Sequence, residues 1–290
     1  MSIAIVCNLS DGVIFGTDSA ITVTSSVKAQ DPHLGLIVKV YNQAEKVFRV
    51  AELPVGIVNF GVGMMEARSI GSYIEEFEAT IVEPRKADFE KMMVKDIATE
   101  IGKFFYGKYK TSIEDKIKQQ ATSRQPDESE QQVRMPVLGL VVAGFSPGDY
   151  LAEVFDASIP AVIPSKQPNI IRQQGNFGSN WFGNFLPISR LIKGMDPGLV
   201  NKVIDYFVKE RGMSFTDNDR VKLQAIVGEF ENQIPYAAMP LKEGVEHVQF
   251  LLDIVIGITR WVVGAPICGG PTSIGVVRRN QKLEYLTQTS

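Results

Sequence analysis

The first seventeen residues constrain this chain more than any other stretch. Ile3 to Val6 is an apolar run rich in β-branched residues, Asn8-Leu-Ser-Asp-Gly12 supplies turn chemistry, and Val13-Ile-Phe-Gly-Thr17 resumes the apolar run. Two apolar strands about an Asp-Gly turn predict a β-hairpin, buried at the very start of the protein. Strand patterns follow at Lys46 to Val50 and Val55 to Gly61, separated by a turn near Glu52-Leu-Pro54. The segment from Ile21 to Asn42 is expected to hold a loop and one more short strand.

Two helices come next. Ile70, Tyr73, Ile74 and Phe77 recur at helical spacing and predict a helix over 64–81, stopped by Pro84. A second helix is expected over 87–109, with Met92, Met93, Ile97, Ile101, Phe104 and Phe105 on its buried face. Residues 111–134, rich in Gln, Ser, Glu and Lys, read as a helix tail and an exposed loop. Val137 to Gly144 reads as a buried strand, Ser146-Pro-Gly-Asp149 as a turn, and Tyr150 to Phe155 as the return strand. After Asn180 the pattern turns helical. Asp196-Pro caps a helix over 199–211, Thr216 or Asp217 opens another reaching about Phe230, and Pro240 opens a long buried one reaching about Val263. Gly264 and Pro266 end it, and Ser273 to Arg278 with Lys282 to Leu286 form a last hairpin around Asn280. Helices grouped between strand pairs, without βαβ alternation, predict an α+β fold of two antiparallel sheets with helix pairs outside them.

Composition narrows the function classes. The 290 residues carry a net charge of -3 and no Lys/Arg cluster, which argues against a nucleic-acid or anionic-membrane partner. No signal-peptide pattern or bilayer-length apolar run is evident. Two cysteines make no disulfide framework and suit a reducing, cytoplasmic setting.

The missing chemistry is equally informative. His33 and His247 are the only histidines; His247 falls in the long apolar helix, where a structural role is expected, and His33 in a loop-like segment. There is no Gly-x-Ser-x-Gly elbow, no Cys/His zinc spacing and no phosphate-binding loop, and no cofactor or metal is expected. A hydrolase built on this chain needs a base other than histidine.

The opening Ser2-Ile-Ala-Ile-Val with Asp11-Gly-Val-Ile-Phe-Gly-Thr-Asp18-Ser-Ala-Ile-Thr22 resembles the start of mature proteasome β subunits and of the bacterial double-ring protease. These belong to the N-terminal-nucleophile (Ntn) hydrolase superfamily. Glu45-Lys46-Val-Phe-Arg-Val50, Val55-Gly-Ile-Val-Asn-Phe-Gly61, the hairpin from Val142 to Asp156 and Cys268-Gly-Gly270 are also similar to the family pattern, in the family's order. The resemblance implies one domain over 1–290 with the four-layer αββα sandwich of two antiparallel sheets. It leaves an extra helical insertion at about 189–233 unmatched. It implies further that removal of Met1 exposes Ser2 as nucleophile with its own α-amine as base. Asp18 lies sixteen positions after Ser2, as the family's acidic residue does. Lys46 is then the cation beside the hydroxyl, oriented by Asp18, and the Gly61 N–H the oxyanion donor. Cys268 stands where the family has a Ser, and Ala265 where it has an Asp. Ser158 is a candidate for a further family Ser.

The function so implied is cleavage of amide bonds, of peptides first, by a homo-oligomeric ring or stack, with an ATP-dependent unfoldase as a possible partner. The alternatives are a non-catalytic proteasome-like structural or assembly subunit and an Ntn amidase acting on a small amide. Direct entry into the first strand fits the β-type subunit better than the α-type. The plainer readings make Ser2 an ordinary strand residue, Lys46 with Asp18 a structural ion pair, and Cys268 a small buried residue.

Overall fold

A computed structural model describes residues 2–25, 37–122, 135–160, 167–263 and 267–287. The readings of Met1, His33, Gly264, Ala265 and Pro266 lie outside the described residues. The chain opens with β1 (Ile3–Leu9), β2 (Gly12–Asp18), β3 (Ile21–Ser25), β4 (Ile37–Tyr41), β5 (Val47–Arg49) and β6 (Val55–Gly61). A two-residue ladder, β7 (Met64–Met65) with β8 (Arg68–Ser69), leads into α1 (Ile70–Phe77), α2 (Lys86–Phe89), α3 (Val94–Tyr109) and α4 (Asp115–Thr122). Then come β9 (Leu138–Gly144), β10 (Glu153–Asp156), β11 (Asn169–Arg172) and β12 (Gly178–Gly183). Helices α5 (Leu186–Ile192), α6 (Pro197–Arg211), α7 (Asp217–Gly228) and α8 (Leu241–Thr259) precede the closing pair β13 (Thr272–Val277) and β14 (Glu284–Thr287).

Two five-stranded antiparallel sheets result, ordered β12-β1-β2-β13-β14 and β11-β10-β9-β6-β5. The fold is therefore mixed α+β. The opening hairpin reads as a continuous apolar run because both of its faces are covered. Ile3, Ile5, Cys7 and Leu9 meet Val248, Leu252 and Val255 of α8, whereas Ala4 and Val6 meet Val58, Val141 and Ala143 of the other sheet. The far face of the second sheet, with Val55, Ile57, Leu140 and Val142, packs on Tyr73 and Phe77 of α1 and on Ile97, Ile101 and Phe105 of α3.

Several elements differ from the sequence expectation. The helix expected over 64–81 begins only at Ile70, capped by the Ser69 hydroxyl, because Glu66 and Ala67 both take positive φ and close a tight β-turn between β7 and β8. Pro84 does not stop the run: a π turn over Glu78–Val82 leads into a 3₁₀ turn over Glu83–Arg85, which accommodates it, and helical turns continue to Phe89. The helix expected over 87–109 is broken at Met93, whose extended backbone starts α3 and whose side chain is exposed. The Val94 N–H at that new terminus donates to the Ser146 hydroxyl at 3.0 Å. Residues 178–183, expected to lead into helix, form β12 against β1, with Trp181 and Phe182 on opposite faces. The long helix from Pro240 ends at Thr259, and Trp261, Val262 and Val263 beyond it are exposed rather than buried.

The caps at Asp196 and Thr216 form as the sequence indicates, the latter as a reciprocal capping box with Asp219. Among the described residues, no helix is long and apolar enough to cross a membrane.

Candidate active site

The antiparallel hairpin brings the start of β1 beside the end of β2. Ala4 pairs with Thr17, so Ser2 and Asp18 come to the same end of the sheet. The Ile3 N–H donates to Asp18 Oδ1 at 3.1 Å. On the other side of β1, the Asn184 N–H donates to the Ser2 carbonyl at 2.9 Å. Gly183 must be glycine here: its φ is +81°, and a Cβ would fall 1.9 Å from the Ser2 carbonyl oxygen. Ser2 is thus held from both neighbouring strands and is 4% exposed.

Lys46 arrives from the other sheet, immediately before β5. Its Nζ donates to Asp18 Oδ1 at 2.8 Å and to the Ala20 carbonyl at 2.7 Å. Lys46 is 3% exposed and Asp18 fully buried. Such a pair persists only when its remaining polar atoms are also matched. They are: Asp18 accepts four hydrogen bonds, from Ile3 N, Lys46 Nζ, Ala20 N at 3.3 Å and Gly269 N at 3.1 Å. An ammonium has three hydrogens. The third on Lys46 has no acceptor within hydrogen-bonding distance among the described residues, Ser2 Oγ included.

The fourth component is Gly61 at the end of β6, whose N–H donates to Ser2 Oγ at 3.2 Å. A φ of +79° turns this peptide out of the strand, and a Cβ would meet the Val137 carbonyl oxygen at 2.1 Å, so only glycine fits. The peptide beyond it is fixed by Val62 N–H donating to the Val137 carbonyl at 2.9 Å. The buried Asn59 adds its amide, which reaches the carbonyls of Gly139 at 3.0 Å and Val62 at 3.2 Å. The donor aimed at Ser2 is therefore preset rather than mobile.

Cys268 also comes to this corner. It precedes Gly269, which donates to Asp18, and its Sγ lies 3.8 Å from the side-chain nitrogen of Asn184. Burial pushes its thiol up to about 12, with the Asp18 carboxylate acting in the same direction. The thiol is protonated and a poor nucleophile at neutral pH.

Ser2, Asp18, Lys46, Gly61 and Cys268 are thus brought to one place. Ser158 is not among them: its hydroxyl accepts from the Leu140 N–H at 3.1 Å, inside the second sheet. His247 sits on α8 with Nε2 3.2 Å from the Tyr236 hydroxyl, and burial lowers its pKa. Asn59 and Asn184 belong to the site and were missed in the sequence. Asn184 directly follows a strand that reads as a turn, and Asn59 lies inside an apolar run, so neither gave a local signal. Among the described residues, no group of three or more His, Cys, Asp and Glu is placed to hold a metal ion.

A cavity of about 740 Å³ adjoins this corner. Ala44 and Glu45 of its wall precede Lys46, Ile21 follows Ala20, and Gly63 and Met64 lie just past Gly61. A buried hydroxyl, a buried ammonium and a preset N–H donor thus converge here, the kinds of group that attack on a carbonyl carbon requires. No protein-family model matches the chain, and no curated protein matches it significantly.

Proposed function

We propose that this chain is a proteasome-type Ntn hydrolase, an αββα sandwich that cleaves amide bonds with Ser2 as the nucleophile. The observation that carries the reading is the Gly61 N–H donating to Ser2 Oγ at 3.2 Å, beside the buried Lys46–Asp18 pair. With Met1 attached, the Ser2 nitrogen is an amide and has no basicity. Once Met1 is removed, it becomes an amine of ordinary pKa about 7.7–8.0, able to accept the Ser2 hydroxyl proton.

The steps balance without a cofactor. The amine takes the Oγ proton as Oγ attacks the substrate carbonyl, and the resulting oxyanion is stabilised by the Gly61 N–H. Loss of one such donor typically costs about 3–4 kcal/mol of barrier. The ammonium then returns its proton to the departing amine, leaving an ester on Ser2. Water, deprotonated by the same amine, hydrolyses that ester. Lys46 supplies positive charge that favours the alkoxide, and Asp18 holds Lys46 in place. Where the family has a Ser and an Asp, this chain has Cys268 and Ala265, and the Asn184 N–H, which donates to the Ser2 carbonyl at 2.9 Å, holds the residue that carries the amine.

Peptides are the first substrate class, processed in a homo-oligomeric ring or stack fed by an ATP-dependent unfoldase. A small non-peptide amide is the variant of this reading. The non-catalytic assembly subunit is favoured by one specific observation, Cys268 standing where the family has a Ser, its Sγ 3.8 Å from the Asn184 side-chain nitrogen. Intact mass with and without a β-lactone or epoxyketone probe, with the adduct mapped, decides between them. Loss of Met1 and an adduct on Ser2, absent in Ser2→Ala, is expected. Retained Met1 with no adduct leaves the assembly subunit.

A further inference from the structure

The geometry points to Asn59 as a positioning residue that aims the Gly61 N–H at Ser2 and strengthens it as a donor. The inference rests on the hydrolase reading for its effect on the reaction; the aiming itself stands apart from that reading.

β6 is apolar apart from Asn59, and Asn59 is 2% exposed. A buried carboxamide has to find partners. Three carbonyl oxygens lie within reach of its Nδ2, those of Gly139 at 3.0 Å, Val62 at 3.2 Å and Phe60 at 3.4 Å. Only a donor can face three acceptors, so the amino group of the carboxamide is the end turned toward them. Two of these carbonyls flank Gly61. The Phe60 carbonyl belongs to the same peptide as the Gly61 N–H, and the Val62 carbonyl to the peptide that follows Val62. One side chain therefore brackets the left-handed glycine at φ +79°. Glycine has the widest choice of backbone conformation and no side chain to limit it, so the aim of its peptide depends on such partners.

The C=O and N–H of a trans peptide point in opposite directions. A donor on the Phe60 carbonyl thus acts along the line of the Gly61 N–H, whose own acceptor is Ser2 Oγ at 3.2 Å. Linked hydrogen bonds polarise one another in a low-dielectric interior, so Asn59 makes Gly61 the better donor as well as holding its direction. The bracket is also tied to the buried cation, because the Asn59 backbone N–H donates to the Lys46 carbonyl at 2.7 Å. An apolar side chain of the same size would fill the space and hold none of these carbonyls. An aspartate would set acceptors against acceptors.

The test uses the whole protein with isotope-labelled glycine amides, the Gly61 resonance being assigned by its loss in Gly61→Ala. Ser2→Ala should displace that resonance in the wild-type background and displace it much less in Asn59→Leu, where the N–H is no longer aimed at Oγ. Asn59→Ser, which keeps one donor hydrogen, should fall between the two and serves equally if the leucine variant does not fold. Ile101→Val, a packing loss within α3, should leave the Ser2→Ala displacement at its wild-type size. An equal displacement in the wild-type and Asn59 backgrounds overturns the inference. Labelling by a β-lactone probe gives the second readout. The limiting rate of Ser2 labelling should fall roughly 10–100-fold in Asn59→Leu, the scale of a misplaced reacting group, with the half-saturating probe concentration unchanged. An unchanged limiting rate overturns the inference. Loss of the Ser2→Ala displacement in Asn59→Leu, with no labelling of the wild-type protein, supports the aiming role and sinks the hydrolase.

Discussion

Replacing one member of the Lys46–Asp18 pair should cost a large and unequal share of the stability. Both side chains lie in the interior, at 4% and 0% exposure, with 2.8 Å between Nζ and Oδ1. At an effective dielectric of about 20 their gross attraction is roughly 6 kcal/mol, much of it offset by the loss of hydration. Breaking a buried pair from one side typically costs about 3–5 kcal/mol, because the remaining charge is stranded. The two halves are not stranded equally. Lys46→Met leaves Asp18 with three backbone donors, from Ile3, Ala20 and Gly269, so the cost should fall near the lower end, about 3 kcal/mol. Asp18→Asn removes the negative charge beside the buried ammonium and turns an amide N–H₂ toward groups that donate, so the cost should approach about 5 kcal/mol.

Urea denaturation of the two single variants and the double variant measures this directly. The slope should stay constant, the Asp18 variant should unfold at the lower urea midpoint, and the double variant should be less destabilised than the sum of the singles. A Lys46→Met cost below about 1 kcal/mol, the scale of exposed pairs, would refute the burial argument. So would an Asp18→Asn cost smaller than that of Lys46→Met, because the asymmetry follows from the three backbone donors.

Gly61→Ala should destabilise the protein by roughly 1–3 kcal/mol, since a left-handed φ and a Cβ contact at 2.1 Å must both be relieved. It should also slow probe labelling of Ser2 more than the stability loss explains, because the peptide that aims its N–H at Ser2 has to move; unchanged labelling contradicts the oxyanion assignment. His247 gives a pH signature. Burial holds its folded pKa below the ordinary value near 6.5, so the unfolded chain binds more protons at mildly acidic pH. Its contribution is complete above about 6.5 and is lost as pH falls through the folded pKa. His247→Gln, which can still hydrogen-bond the Tyr236 hydroxyl, should flatten the acid limb of the stability profile, and superimposable profiles would contradict this.

The two-sheet plan was legible because the central strands are buried on both faces and so appear as unbroken apolar runs. The covered hairpin at Ile3–Leu9 and Gly12–Asp18, the Val55–Gly61 strand and the Leu138–Gly144 strand all announce themselves this way. The edge strand β12 does not: Gly-Ser-Asn-Trp-Phe-Gly is dominated by residues that favour turns, and only pairing with β1 makes it a strand. Helix faces were readable where they pack, as at Ile70, Tyr73, Ile74 and Phe77, but boundaries set by tertiary contact were not. Met93 breaks a helical pattern because Ser146, fifty-three residues away, offers its hydroxyl to the new N-terminus.

The same distinction explains why the candidate site was only partly readable. Ser2, Asp18 and Gly61 occupy strand ends, and antiparallel pairing dictates that β1 begins where β2 finishes. Lys46 enters just before β5, whose pairing with β6 places the Lys46 carbonyl on the Asn59 N–H at 2.7 Å, two residues before Gly61. Register alone therefore carries the cation and the N–H donor to the same end of their sheet. Packing of the two sheets through Ala4, Val6, Phe15, Val47 and Val58 then sets that end against Ser2. Asn184 has no such register with the other site residues in the sequence: it comes to Ser2 only because β12 adds to the open side of β1. A polar residue supplied by an edge strand can be replaced without disturbing the central hairpin. Asn184 therefore reaches Cys268 beside the Ser2 backbone through edge pairing, whereas Lys46, Asp18 and Gly61 are placed by the register of the central strands.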